Sequence, residues 1–155
     1  FNKDDKLLGF QGRALDKNAF MRYVTIKVDD SAIKLFGLDR VDFGKTVYVV
    51  EGPIDSLFLD NCIAVMDGAL YRAVDMLGDE LDYVFVYDNE PRNVHVVSAM
   101  RKTIKENFKI VIFPSSITQK DINDMVLDGV DVKELIDKHT YSGPMASLML
   151  GAWTK

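Results

Sequence analysis

The sequence predicts an α/β fold: a mainly parallel sheet flanked by helices, preceded by a small β-rich unit. Three observations predict it. Compact apolar runs, several rich in β-branched residues, recur at 46–50, 62–66, 83–87 and 109–113, as in strands buried on both faces. Between and after them lie stretches that read as helices, at about 53–60, 69–78, 92–107 and 121–127. Strand–helix alternation of this kind implies a parallel sheet covered on both sides. Before Thr46 the pattern differs, with short alternating segments separated by turn residues.

Taken in order, "KLLGFQGRAL" and "FMRYVTIKV" read as short strands joined across the turn-like "DKNA". Residues 31–44 read as a linker with a short helical piece, "SAIKLFGL". "TVYVV" is a buried strand, and "EGPIDSLFLDN" follows it. Gly52 lets the chain turn sharply there, and Pro53 suits the first turn of a helix, where a missing N–H costs little. A further helix is expected near 131–138, "DVKELIDK". The apolar tail "HTYSGPMASLMLGAWTK" reads as the start of a following helix, with Trp153 an exposed ring that packs on whatever follows. The expected units are therefore a β-rich one over 1–45, the α/β domain over 46–140 and a tail over 141–155.

The 155 residues, 48% hydrophobic, suffice for one ordinary core. The chain begins with Phe1, which suggests a segment of a longer protein. No apolar run approaches the roughly 20 residues of a membrane span, and no signal-peptide pattern opens the chain. The expectation is a cytoplasmic protein, or one of the host cytoplasm if viral, with no membrane partner. The single cysteine, Cys62, rules out an internal disulfide and a cysteine-rich zinc site within this chain, and reads as a small buried hydrophobe. The seven methionines read as core filler. A net charge of −5 argues against a general electrostatic grip on nucleic acid. The balance is uneven: residues 1–46 sum to +2 and the remainder to −7. On charge alone a solvated acidic surface explains this.

The acids at the strand ends carry more information. Glu51 follows the first buried strand, with Asp55 one turn on; "YDNE" gives Asp88 and Glu90; "QKDIND" gives Lys120, Asp121, Asn123 and Asp124. In a parallel sheet all C-terminal strand ends share one edge, where ligands of such folds bind. Carboxylates gathered there repel one another and raise each other's pKa. The usual compensation is a hard divalent cation, Mg²⁺ or Mn²⁺, shared with substrate phosphates, as phosphoryl or nucleotidyl transfer requires. Taken singly, Asp88 and Asp121 read equally well as helix caps. No Walker-type phosphate loop or dinucleotide fingerprint is present.

An apolar strand with "EGPID", then "YDNE", then "KDIND", resembles the Toprim domain of primases, topoisomerases and some nucleases. The preceding order of "GFQGR", "RYVTIK" and "KLFGL" resembles the catalytic core of bacterial- and phage-type DNA primases, across roughly residues 6–127. The resemblance implies a Toprim-like fold and a DNA-directed RNA polymerase that makes short primers on single-stranded DNA from NTPs, with Mg²⁺ or Mn²⁺ as cofactor. It implies Glu51, Asp88 and Glu90 as catalytic metal-binding residues and Asp121 as a further ligand. Arg13, Arg22 and Lys120 would contact nucleotide or DNA, and Asp55, Asn123 and Asp67 would support the site. A replicative helicase, fused or separate, would be a partner. Glu90 and Asn93 depart from the family's "DxDxxG", as does the Asp67 turn, which implies a divergent member, viral or from a mobile element. The other readings are a different Toprim enzyme, either topoisomerase or nuclease, and a degenerate interaction module without turnover.

Overall fold

The computed structural model describes residues 1–155 except 3, 5, 17, 22, 29–33 and 67–68. Two sheets form. Strands β1 (Gly9–Arg13) and β2 (Tyr23–Lys27) make an antiparallel ribbon with Phe10 opposite Ile26 and Arg13 opposite Tyr23. The other six strands are β3 (Leu35–Phe36), β4 (Val47–Val50), β5 (Cys62–Val65), β6 (Tyr83–Phe85), β7 (Lys109–Val111) and β8 (Thr140–Tyr141). Their order across the sheet is β3-β5-β4-β6-β7-β8. The central four are parallel, and β3 and β8 are antiparallel edges.

Alternation along the strands divides the core in two. Val47, Val49, Ile63, Tyr83, Phe85 and Ile110 point to one face. There they meet helices α1 (Arg72–Leu77), α2 (Val94–Lys105) and α5 (Gly143–Trp153). Val50, Cys62, Ala64, Val84 and Val111 point to the other face, against α3 (Ile122–Leu127) and α4 (Val132–His139). Each fully buried Val, Ile or Phe contributes about 1.5–3 kcal/mol, so both helical layers are needed to cover this sheet. Among the described residues, no helix is long and apolar enough to cross a membrane.

The structure corrects three readings and adds one strand. The helical piece expected in "SAIKLFGL" is strand at Leu35–Phe36, pairing with β5, while residues 31–33 lie outside the described residues. The expected helix at 53–60 is a single 3₁₀ turn, Asp55–Phe58. It stops because Asn61 takes a left-handed φ of 53°, and its side chain bonds back to Asp42 and Thr46. Strand β8 had no sequence signal; it follows α4 without a break and closes the edge beside β7. The tail folds back as α5, with Ala146 and Leu150 buried and Trp153 half-buried against the core. Trp153 is therefore not the exposed ring that was expected. Cys62 is buried, 1% exposed.

Candidate active site

Strand order sets the location. From β4 the chain moves to β5 on one side, then crosses back to β6 on the other side of β4. The C-terminal ends of β4 and β6 therefore flank a topological switch point, the crevice where open α/β sheets bind ligands. Glu51 follows β4 and Asp88 follows the extended continuation of β6. Glu51, Asp55, Tyr87, Asp88 and Asp121 line one narrow cleft there, floored by Val50, Val86 and Ile122.

The electrostatics are those of crowded carboxyls. Partial burial, then the neighbouring Asp88 charge, pushes Glu51 up to about 7, while Lys120 opposes the shift. Asp55 is pushed up to about 6 by burial, against the hydrogen bond that its Oδ1 accepts from the Asn123 backbone N–H at 2.9 Å. Burial also raises Asp88, whose Oδ2 lies 3.3 Å from Lys120 Nζ. Glu90 Oε1 lies 3.8 Å from the same ammonium. Lys120 is thus the internal counter-ion of the cluster, and its own pKa is raised by Asp88.

Local sequence explains the geometry. The Asp55 carboxyl folds back over Gly52, so a side chain at 52 would have to displace that carboxyl. Asp88 does not cap a helix. The α2 cap is Asn93, whose Oδ1 accepts from His95 N–H (3.0 Å) and Val96 N–H (3.5 Å). Asn93 has extended backbone, φ −82° and ψ 107°, so this position needs no glycine-like left-handed conformation. Its Nδ2 donates to Glu90 Oε2 at 3.1 Å, which ties the departures at 90 and 93 to each other. Asp121 does cap α3, accepting from Asp124 N–H at 2.9 Å. Asn123 contributes its backbone N–H to the cluster through Asp55.

The structure thus brings together Glu51, Asp55, Asp88, Glu90, Lys120 and Asp121. Arg13 sits on the ribbon with its guanidinium 5.6 Å from the Tyr23 ring centroid. It is not among the charges that set the ionisation of Glu51, Asp55 or Asp88. Arg22 and Asp67 lie outside the described residues. Sequence reasoning missed Tyr87, whose buried hydroxyl pairs with Thr103 Oγ1 at 2.6 Å, as well as Asn89 and Trp153. Nothing in the local sequence marks these three. The Asn93 cap was also missed, although an Asn just before an apolar run is a signal that marks one.

The donor set is all oxygen and suits a hard cation such as Mg²⁺ or Mn²⁺, not a thiol- or imidazole-seeking metal. Among the described residues, no three such groups already stand together as a formed metal-binding cluster. The raised carboxyl pKa values and the Lys120 counter-ion show what a cation would relieve.

No protein-family model matches the chain. A solved structure of the Aquifex aeolicus primase, comprising zinc-binding and RNA polymerase domains, shares the fold with a TM-score of 0.68. That match covers 90% of this chain and 39% of the other, at 18% identity. The DNA primase of enterobacteria phage T4 is 37% identical over 160 residues, a match that takes in all of this chain and 46% of the phage protein. The chain is therefore homologous along its whole length to a phage DNA primase, and it spans about half the length of that relative.

Proposed function

We propose that this chain is the Toprim catalytic core of a DNA primase, a nucleotidyltransferase that builds short RNA primers from NTPs on single-stranded DNA. The observation that carries the reading is the gathering of Glu51, Asp88 and Glu90 at the β4–β6 switch point. Homology to a phage primase supports it. In the reaction a 3′-hydroxyl oxygen attacks the α-phosphorus of an NTP and pyrophosphate leaves. Glu51, Asp88 and Glu90, with Asp121 beside them, would hold Mg²⁺ or Mn²⁺. Such an ion supplies charge neutralisation at the phosphates and orients the triphosphate. Glu51, which lines the cleft, is the carboxyl placed to accept the hydroxyl proton, and an ion bound beside it would hold it ionised for that role. Lys120 donates to phosphate oxygens once released from Asp88. Arg13 and Arg22, on the basic N-terminal part, would contact template or triphosphate.

The test is calorimetric titration of Mg²⁺ and Mn²⁺ into the wild type, Glu51→Gln and Asp88→Asn, followed by primer synthesis. Saturable binding lost in both variants, with synthesis reduced about a thousandfold, is the expected result. Wild-type binding that survives both substitutions would overturn the reading.

A further inference from the structure

Asn89 stands between the two acids of the "DNE" turn and uses every strong hydrogen-bonding group of its side chain. Its Nδ2 donates to the Ile117 carbonyl and to the Gln119 carbonyl, each at 3.0 Å. Its Oδ1 accepts from Trp153 Nε1 at 3.1 Å. Its backbone N–H donates to the Lys120 carbonyl at 2.6 Å. Two carbonyls demand donors and one indole demands an acceptor, so a side-chain amide meets all three at once and a carboxylate cannot.

Three distant parts of the chain meet at this residue. The turn after β6 carries Asp88 and Glu90. The loop 114–121 carries Lys120 and Asp121. Helix α5 ends on Trp153, which also packs against the core. Elsewhere the loop is held by Ile117 N–H on Pro114 O at 3.0 Å, by Ile117 packed against the core, by Gln119 Nε2 on Asp128 Oδ2 at 2.8 Å and by the Lys120 ion pair with Asp88. Asn89 adds bonds to three of its carbonyls, at 117, 119 and 120, and so joins the loop to the acidic turn.

We infer that Asn89 is a positioning residue that sets Lys120 and Asp121 against Asp88 and Glu90, and that Trp153, at the end of α5, latches it in that orientation. The consequence for metal binding rests on the proposed function; the latch itself does not. Asn89→Asp keeps the acceptor for Trp153 but faces two carbonyls with a carboxylate oxygen. Trp153→Phe keeps an aromatic ring against the core and removes the N–H donor together with part of the indole's bulk.

The test has two arms on the 155-residue chain. Without metal, hydrogen exchange is followed by mass spectrometry over peptides spanning 114–124 and, as controls, β4 and α2. Exchange over 114–124 should quicken about fivefold in Trp153→Phe, the factor one hydrogen bond is worth, and more in Asn89→Asp. The control peptides should not change. Unchanged exchange over 114–124 in both variants, or equal acceleration everywhere, would overturn the latch. In the second arm Mg²⁺ is titrated by calorimetry into the wild type and Trp153→Phe. The midpoint should rise about fivefold, while Trp153, the chain's single tryptophan, should change its emission at the wild-type midpoint. An identical Mg²⁺ midpoint in Trp153→Phe would overturn the positioning role. If the wild type binds no Mg²⁺, the proposed function fails, and the metal-free exchange arm still decides the latch.

Discussion

The β1–β2 ribbon and the six-stranded sheet are built from similar residues and come to opposite ends. "YVTIK" in β2 is as strand-prone as "VYVV" in β4, yet every residue of β2 is exposed and β4 is buried apart from half-buried Tyr48. Phe10 on the ribbon is 52% exposed and Phe85 in the sheet 0%. No ribbon residue belongs to either core cluster, among the described residues. The comparison teaches that strand propensity says where the backbone extends, and helices from elsewhere in the chain decide what is buried. The acids share this lesson. Glu51, Asp55 and Asp88, at the end of the covered sheet, are raised chiefly because burial keeps water from them.

Substitution can break or sharpen the comparison. The largest stability effect is expected for Phe85→Ala, which opens a cavity in the covered face and should cost about 3–5 kcal/mol by denaturant unfolding. A cost under about 1 kcal/mol would mean the two sheets differ less than their burial says. Asn93→Ala should cost about 1 kcal/mol through loss of the α2 cap. It should also weaken Mg²⁺ binding if Glu90 is a ligand, since the Asn93 hydrogen bond to it is lost. Metal affinity equal to wild type would separate Glu90 from the site.

The pH dependence has a definite sign. Glu51 rises from 4.5 to about 7 and Asp55 from 3.8 to about 6, both chiefly through burial. Across roughly pH 4 to 7 the folded state holds protons that the unfolded chain has lost. Their contribution to stability therefore falls as pH rises through that window and levels off above it. Asp82, lowered by its hydrogen bonds to Lys109 and Thr46, acts below this window and does not offset the trend. Without divalent metal, Tm should be a few degrees higher at pH 5 than at pH 7.5, and Glu51→Gln should flatten the slope. A Tm that climbs between those pH values would contradict the crowding of the cluster. The smallest effect is expected for Phe10→Ala, within about 0.5 kcal/mol, because its ring gains little burial in the fold. A loss of 2 kcal/mol or more would show the ribbon to be packed in solution.

Much of the α/β organisation was legible because the four central strands are short apolar runs that no other element accommodates as well. Their order was not legible: nothing in "VYVV" or "CIAV" says that β4 lies between β5 and β6. The acids themselves were legible from the strand ends, since period and turn chemistry are local. Their shared cleft follows from the crossover between β5 and β6, a long-range consequence of burying two faces.

What the sequence determined by itself was local: strand positions, the buried Cys62 and the placement of Glu51 and Asp88 just past buried strands. Tertiary structure alone decided the shortened turn at Asp55–Phe58, the edge strands β3 and β8, the return of α5 onto the core, and the bonds joining Trp153, Asn89 and the 114–121 loop. The physical reason is separation along the chain. Trp153 and Asn89 are 64 residues apart, and no local pattern encodes a contact that exists only after two helical layers have closed over one sheet.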